Sequence, residues 1–397
     1  MQHLKDVREL TNIKGKRVFL RVDFNVPIMD GTVIDAYRIE RVLPTIKFLQ
    51  ERGAIIILAS HIGRKGETLY PVFQYLENHF TLPTVARPEG DTEAGLTFVE
   101  DYLEESAVQA IKHMPEGSIV LLENLRMHEG EEANDPEFVG QLVRLADVYV
   151  NEAFAASHRA HASIVGVPDL LPHAAGLVLH EEILELSKML DPIQPNFFIL
   201  GGAKFETKLP LLQKYLDISQ NIFVGGALSN DFFKMQNIPI GKSLCSDLPA
   251  EALAKEGGLS LKEMWESGKI ILPLDVIVQN EQGEHEVKNP EEVSATDTIM
   301  DAGPRTIDML SARIKKSKSV LWNGPLGAYE NGFKEGTLEL AHAIAEAQKH
   351  SVVGGGDTVA AIAETHLYNK FTFVSTGGGA MLEFLAEETL PGIEALK

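Results

Sequence analysis

The run Ala54-Ile55-Ile56-Ile57-Leu58-Ala59 is apolar at every position. A strand wetted on one face would alternate, so this one must be covered on both, as inner strands of a helix-flanked parallel sheet are. A helical stretch precedes it, with Val42, Ile46 and Leu49 on one face, Pro44 near its start and Gly53 at its stop. Similar runs recur at Ile119–Leu122, Asp147–Asn151, Asn196–Leu200, Ile222–Val224, Ser319–Trp322, Val352–Val353 and Phe371–Val374. Strands alternating with helices imply parallel sheets. A length of 397 residues exceeds one compact core. The expected fold is therefore α/β, with two doubly wound, Rossmann-like domains. From His173 to Leu190 the pattern is helical, with Leu179, Ile183, Leu186 and Leu190 in one stripe, closed by Pro192 and Pro195. This predicts domains over 1–172 and 191–384, joined by a hinge helix over 173–190.

Parallel strands point one way, so the segments that follow them gather on one sheet edge, where α/β proteins bind ligands. In the first half those segments are cationic. Val18, Leu20, Val22 and Phe24 alternate with Arg21, Asp23 and Asn25, which read as a wet face, until Pro27 ends pairing. Arg38, His61, Arg64, Arg126, His158, Arg159 and His161 follow this or later strands. The net charge is −21, which argues against nucleic acid and anionic membranes as partners. Against that background the arginines read as a site for a small, multiply anionic molecule, since guanidinium forks bind carboxylate and phosphate bidentately. The segment His128-Glu129-Gly130-Glu131-Glu132 reads as a loop of solvated acids, and the single cysteine, Cys245, as a small buried apolar residue. With no disulfide to form and no apolar leader after Met1, the chain is expected in the cytoplasm.

In the second half the strands end in glycine: Gly201-Gly202-Ala203-Lys204, Gly225-Gly226, Asn323-Gly324-Pro325, Gly354-Gly355-Gly356-Asp357-Thr358 and Gly377-Gly378-Gly379. Glycine lets backbone approach a ligand, and the helix start beyond offers unpaired N–H groups and a positive dipole, which suits phosphate. Gly241-Lys242-Ser243 lacks the earlier glycine of a P-loop. Lys204 and Lys208 lie one helical turn apart and are expected to face phosphate oxygens, with Asp357 as a magnesium partner. A cationic edge and a glycine edge together imply phosphoryl transfer between two anions. A nicotinamide dehydrogenase would need a strand-linked Gly-x-Gly-x-x-Gly that is missing.

The ordered motifs Arg21-Val22-Asp23-Phe24-Asn25-Val26-Pro27, Ser60-His61-Ile62-Gly63-Arg64, Glu123-Asn124-Leu125-Arg126, His158-Arg159-Ala160-His161, Gly201-Gly202-Ala203-Lys204, Trp322-Asn323-Gly324-Pro325, Gly354-Gly355-Gly356-Asp357-Thr358 and Ser375-Thr376-Gly377-Gly378-Gly379 resemble the phosphoglycerate kinase family across essentially the whole chain. The resemblance implies reversible transfer of the ATP γ-phosphoryl group to the carboxylate of 3-phosphoglycerate, giving 1,3-bisphosphoglycerate and ADP, in glycolysis. It implies Mg2+ with ATP or ADP, a monomer that closes about a hinge, and a C-terminal tail, about 385–397, that returns to the N-terminal domain. By the same resemblance Asp23, Asn25, Arg38, His61, Arg64, Arg126 and Arg159 hold phosphoglycerate. Gly202, Lys204, Lys208, Gly226, Asn323, Glu330, Gly355, Gly356, Asp357 and Thr358 hold the nucleotide. Because the transferring group spreads negative charge over its oxygens, Arg38 and Lys204 are expected at the transition state, with the helix starts after Gly356 and Gly379 as supporting donors, and these are the expected catalytic positions. Three residues depart from the family pattern: Met381 stands for a common serine, Lys65 for a frequent proline and Ile299 for a frequent glycine.

Overall fold

A computed structural model of the protein describes residues 4–79, 95–246 and 259–397. The chain forms two compact units, one running up to Leu184 and taking in Thr389–Lys397, the other spanning Glu185–Glu388.

The first unit is built on a six-stranded sheet of β1 (Arg17–Arg21), β2 (Ile55–Ala59), β3 (Leu96–Val99), β4 (Ile119–Leu122), β5 (Val148–Asn151) and β6 (His173–Ala175), in the order β3-β4-β2-β1-β5-β6. Every pairing is parallel. Strand β2 is buried at all five residues, as its apolar run requires. Val18, Leu20, Ile56, Leu58 and Leu121 pack with Ile39, Val42, Ile46 and Leu49 of the helix Tyr37–Glu51 in one core. Each such side chain contributes about 1.5–3 kcal/mol on burial. Arg21 is in register with both Ala59 and Asn151, so these three strands end level and their following segments share an edge. The strand order reverses between β1 and β5, which puts a topological switch point there.

Four local expectations need correction. Strand β1 stops at Arg21, because Phe24 N–H donates to Ser60 Oγ (2.9 Å) and the ladder ends well before Pro27. Its polar face is not wet: Arg21 is only 1% exposed, since both faces of the sheet are covered. The helix starts at Tyr37, whose N–H donates to Asp35 Oδ1 (2.9 Å), so Pro44 lies inside it and Arg38 in its first turn. Finally, His173–Ala175 completes the sheet beside β5, and the helix after it runs only from Leu177 to Ser187. Two apolar alanines continue a helical pattern and an edge strand equally well. The chain crosses from the first unit to the second within that helix.

The second unit contains β7 (Asn196–Leu200), β8 (Ile222–Val224), β9 (Ile270–Ile271), β10 (Val276–Gln279), β11 (His285–Lys288), β12 (Thr298–Ala302), β13 (Ser319–Asn323), β14 (His350–Gly354) and β15 (Phe373–Val374). Six of them form a parallel sheet in the order β9-β8-β7-β13-β14-β15, and the other three an antiparallel sheet in the order β11-β10-β12. Phe197, Ile199, Trp322 and Val353 pack with Leu310, Ile314, Leu340 and Ile344 in its core. Asn323 is in register with Leu200 and with Gly354, so three glycine-bearing turns leave one edge at the reversal between β7 and β13. Cys245 is half-buried beside Lys234 Nζ (3.6 Å) rather than in the core. Among the described residues no helix is long and apolar enough to cross a membrane.

Candidate functional site

In the first unit the segments after β1, β2, β4 and β5 meet at the level strand ends. Arg38 Nη1 donates to Asp23 Oδ2 (2.7 Å) and to the Asn25 carbonyl (3.3 Å). Asn25 Oδ1 accepts the Gly63 N–H (3.0 Å), tying the turn after β1 to the turn after β2. Burial alone would push the Asp23 carboxyl up, but the Arg38 and Arg21 charges and the Asn25 N–H hold it below the usual carboxylate range. Asp23 is therefore an ionised anchor for Arg38. Arg126 pairs through Nε with Glu132 Oε1 (3.0 Å) and reaches the Gly63 carbonyl through Nη1. Arg159 Nε donates to His158 Nε2 (3.3 Å). Burial and then the neighbouring Arg126 charge press Arg159 below its ordinary pKa, a mutual repulsion that a bound anion would relieve. Arg64 is exposed, with its backbone N–H on Glu67 Oε1 (2.8 Å), so it stands at the rim of the group.

Two residues behave differently from their sequence reading. Arg21 is spent on the protein itself: Nε donates to Ser163 Oγ (2.7 Å), Nη2 to His61 Nδ1 (3.3 Å) and Nη1 to the Val22 carbonyl. Glu131 is fully buried rather than solvated, accepting the Ser163 hydroxyl (2.6 Å) and N–H (3.0 Å). The acid-rich string around it hid this, because composition cannot say which acid of several turns inward.

In the second unit a cavity of about 890 Å³ opens at the switch point. Gly202, Lys204, Lys208, Gly226, Asn323, Glu330, Gly355, Gly356, Asp357, Thr358 and Gly379 all line it. Gly226 has φ +59°, and a Cβ there would lie 2.7 Å from Gly202 N and 2.8 Å from Gly202 O. Only glycine lets the two turns touch this closely. The helix Gly356–Thr365 makes its first bond from Val359 N–H to Gly355 O (2.8 Å), so the amides of Gly356, Asp357 and Thr358 precede the ladder at the positive end of the dipole. Thr358 Oγ1 accepts the Gly324 N–H (3.0 Å), joining the turns after β13 and β14. Asp357 and Lys204 are exposed, whereas Lys208 is nearly buried with Nζ on the Gly201 carbonyl. Burial presses the Lys208 ammonium down to about 8, with Asp357 opposing and Lys204 adding to the shift. The two lysines thus differ: Lys204 is an exposed surface charge, whereas Lys208 is held against the glycine turn.

Asp301 also lines the cavity and escaped the sequence reading, although strand, glycine and proline follow one another at Met300-Asp301-Ala302-Gly303-Pro304. Its Oδ2 accepts the Gly336 N–H (3.0 Å), and burial raises its carboxyl to about 7. Ile299 lines the same wall. Met381 is fully buried, with Sδ 3.8 Å from Asn323 Nδ2 and in the space that a Gly354 side chain would need.

A family model described as phosphoglycerate kinase matches residues 7–388. The phosphoglycerate kinase of Sinorhizobium medicae is 41% identical over 410 residues, covering 99% of this chain and 98% of that protein. That of Dictyoglomus turgidum is 40% identical over 406 residues, with the same coverage of 99% and 98%. Among solved structures, phosphoglycerate kinase from Coxiella burnetii superposes with a TM-score of 0.80 at 34% identity over 99% of both chains. The enzyme from Pyrococcus horikoshii gives a TM-score of 0.81 at 30% identity, over 99% of this chain and 98% of the other.

Proposed function

The chain belongs to the phosphoglycerate kinase family, and from that premise we propose how its own residues divide the work. The reaction is reversible phosphoryl transfer between ATP and the carboxylate of 3-phosphoglycerate, a step of glycolysis. The acceptor is already ionised at neutral pH, so no side chain has to remove a proton from it. What the reaction demands is alignment of two anions and neutralisation of the charge spread over the transferring group.

Phosphoglycerate is held in the first unit by Asp23, Asn25, Arg38, His61, Arg64, Arg126 and Arg159. The observation that carries this assignment is that the strands end level and their following segments meet, with Arg38 held on Asp23 (2.7 Å) and Asn25 tied to Gly63 (3.0 Å). The nucleotide lies in the cavity of the second unit, its phosphates on the amides that open the helix Gly356–Thr365 and beside Lys208. Glu330, exposed on the cavity wall, takes the ribose hydroxyls, since a carboxylate can only accept. Arg38 and Lys204 meet the charge of the transition state, and the helix starts at Gly356 and Gly379 add fixed donors.

The donor set at the cavity suits magnesium: Asp357 is an exposed carboxylate in the first turn of the helix Gly356–Thr365, and that ion favours one or two carboxylates with phosphate oxygens as its other ligands. Asp357 would hold it, and the ion would screen the nucleotide phosphates. Reacting atoms must approach to about 3–3.5 Å, so we infer that the units close on each other through the helix Leu177–Ser187, excluding water. We read the chain further as a cytoplasmic monomer; a dimer mass in light scattering would overturn that.

Calorimetry with MgADP tests the nucleotide assignment. Asp357→Ala should weaken MgADP binding at least tenfold, about 1.4 kcal/mol, while metal-free ADP binding changes little. Equal losses with and without magnesium would remove Asp357 from metal binding.

A further inference from the structure

His61 is gripped from behind by a residue that cannot accept a hydrogen bond. Arg21 Nη2 lies 3.3 Å from His61 Nδ1 in a buried setting. A guanidinium has donors only, so Nδ1 must present its lone pair, and the ring proton belongs on Nε2. A second proton on Nδ1 would set N–H against N–H. Arg21 has little freedom to turn away, because Nε is fixed on Ser163 Oγ (2.7 Å) and Nη1 on the Val22 carbonyl. Ser163 is fixed in turn: its hydroxyl and N–H both donate to Glu131 (2.6 and 3.0 Å), and its carbonyl accepts the Tyr149 hydroxyl (2.8 Å). The π-helical turn Ala162–Gly166 presents Ser163 in this way. Arg21, Ser163 and Glu131 are all essentially out of water; burial raises the Glu131 carboxyl above its ordinary range, with the Arg21 charge and the Ser163 hydrogen bonds opposing the rise.

We propose that Glu131, Ser163 and Arg21 are a buried positioning relay that fixes His61 as its neutral Nε2–H tautomer, so that the ring gives the phosphoglycerate anion a directed hydrogen-bond donor without adding positive charge. This rests on His61 being a substrate contact. The benefit follows from the surroundings. Arg126 and Arg159 already repel each other there, and an imidazolium would add to that repulsion in the empty site. The charged groups acting on His61 are Arg21, Asp23, Arg126 and Arg159; only Asp23 favours a protonated ring, and burial with the three arginines outweighs it, leaving His61 neutral down to about pH 3. In the empty site His61 is then neutral across the physiological range.

Two-bond ¹H–¹⁵N spectra of the uniformly labelled full chain read the tautomer directly. The wild type should show His61 with its proton on Nε2 at neutral pH, unchanged between about pH 5 and 8. An Nδ1–H ring, or one that titrates in that interval, overturns the relay, and this outcome needs no variant to fold. Ser163→Ala should mix the tautomers and raise KM for 3-phosphoglycerate about tenfold, the loss of one hydrogen bond to a charged partner. Its kcat and its KM for ATP should stay within about twofold, and Ser163→Thr, which keeps the hydroxyl, should restore both tautomer and KM. Ser163→Ala with the wild-type tautomer and KM would also overturn the relay. Adding 3-phosphoglycerate to the wild type should move the His61 resonances; if the tautomer is as stated but the resonances stay still, His61 as a substrate contact fails and the relay stands.

Discussion

Raising the pH from about 7.5 to 9 should weaken nucleotide binding through Lys208. Burial holds the Lys208 pKa near 8 in the empty cavity, against an ordinary 10.5. Roughly three quarters of the molecules therefore carry the charge at pH 7.5 and about a tenth at pH 9. Bound phosphate supplies an opposite charge in place of the hydration that burial removed, so the pKa of the complex returns towards its ordinary value and the complex stays protonated. Binding at pH 9 must then first take up a proton, which costs about eightfold in affinity, or roughly 1.2 kcal/mol, relative to pH 7.5. Calorimetric titration of ADP in buffers of different ionisation enthalpy reads both the affinity and the proton uptake. Lys208→Met should bind weakly at both pH values and lose the slope. An affinity that is level in pH for the wild type, or a slope that persists in Lys208→Met, would refute the reasoning.

Two further perturbations address the scaffold. Gly226→Ala forces a side chain at φ +59° into contact with the Gly202 backbone; the left-handed backbone alone costs about 1–2 kcal/mol. We expect a lower Tm and a raised KM for ATP with KM for 3-phosphoglycerate unchanged, and an unaltered KM for ATP would mean the turns need not touch. Glu152 is buried against the start of the helix Leu177–Ser187, accepting the Val178 N–H (3.1 Å) and the Thr45 hydroxyl, and burial lifts its carboxyl from 4.5 to about 7. A raised folded pKa means that its stabilising contribution is complete below the unfolded value and lost as pH climbs from about 4.5 to 7, a change on the order of 3 kcal/mol at most. Urea unfolding should therefore show wild-type stability falling relative to Glu152→Gln across that window; parallel curves would contradict it.

The sheets were legible because burial on both faces writes itself as unbroken apolar runs: Ile55–Ala59 and Asn196–Leu200 are strands over the residues that read as strands. Two edge strands of the first unit were not. Leu96–Val99 is half-exposed and mixed in polarity, and His173–Ala175 merges into the helix after it, so neither carries a period of its own. The glycine turns of the second unit were legible as a set, because glycine marks places where backbone must meet backbone, and they do line one cavity. Asp301 was not, since a lone aspartate before a glycine resembles an ordinary cap until the fold shows it sealed against Gly336. In the first unit the arginines were visible but their division of labour was not. Nothing in the order of residues separates Arg38, half-exposed on a first helical turn, from Arg21, locked between Ser163 and His61. That distinction depends on Glu131, which reads as one acid among several and is the one that turns inward.

Steady-state kinetics of Arg38→Ala test the central claim, that charge neutralisation at the transferring group drives the reaction. The account predicts a fall in kcat on the order of 10³, with KM for ATP little changed, because the guanidinium held by Asp23 at 2.7 Å meets charge that develops only in the transition state. A variant that keeps kcat and loses only KM for 3-phosphoglycerate would show Arg38 to be an anchor for bound substrate, and would contradict the claim.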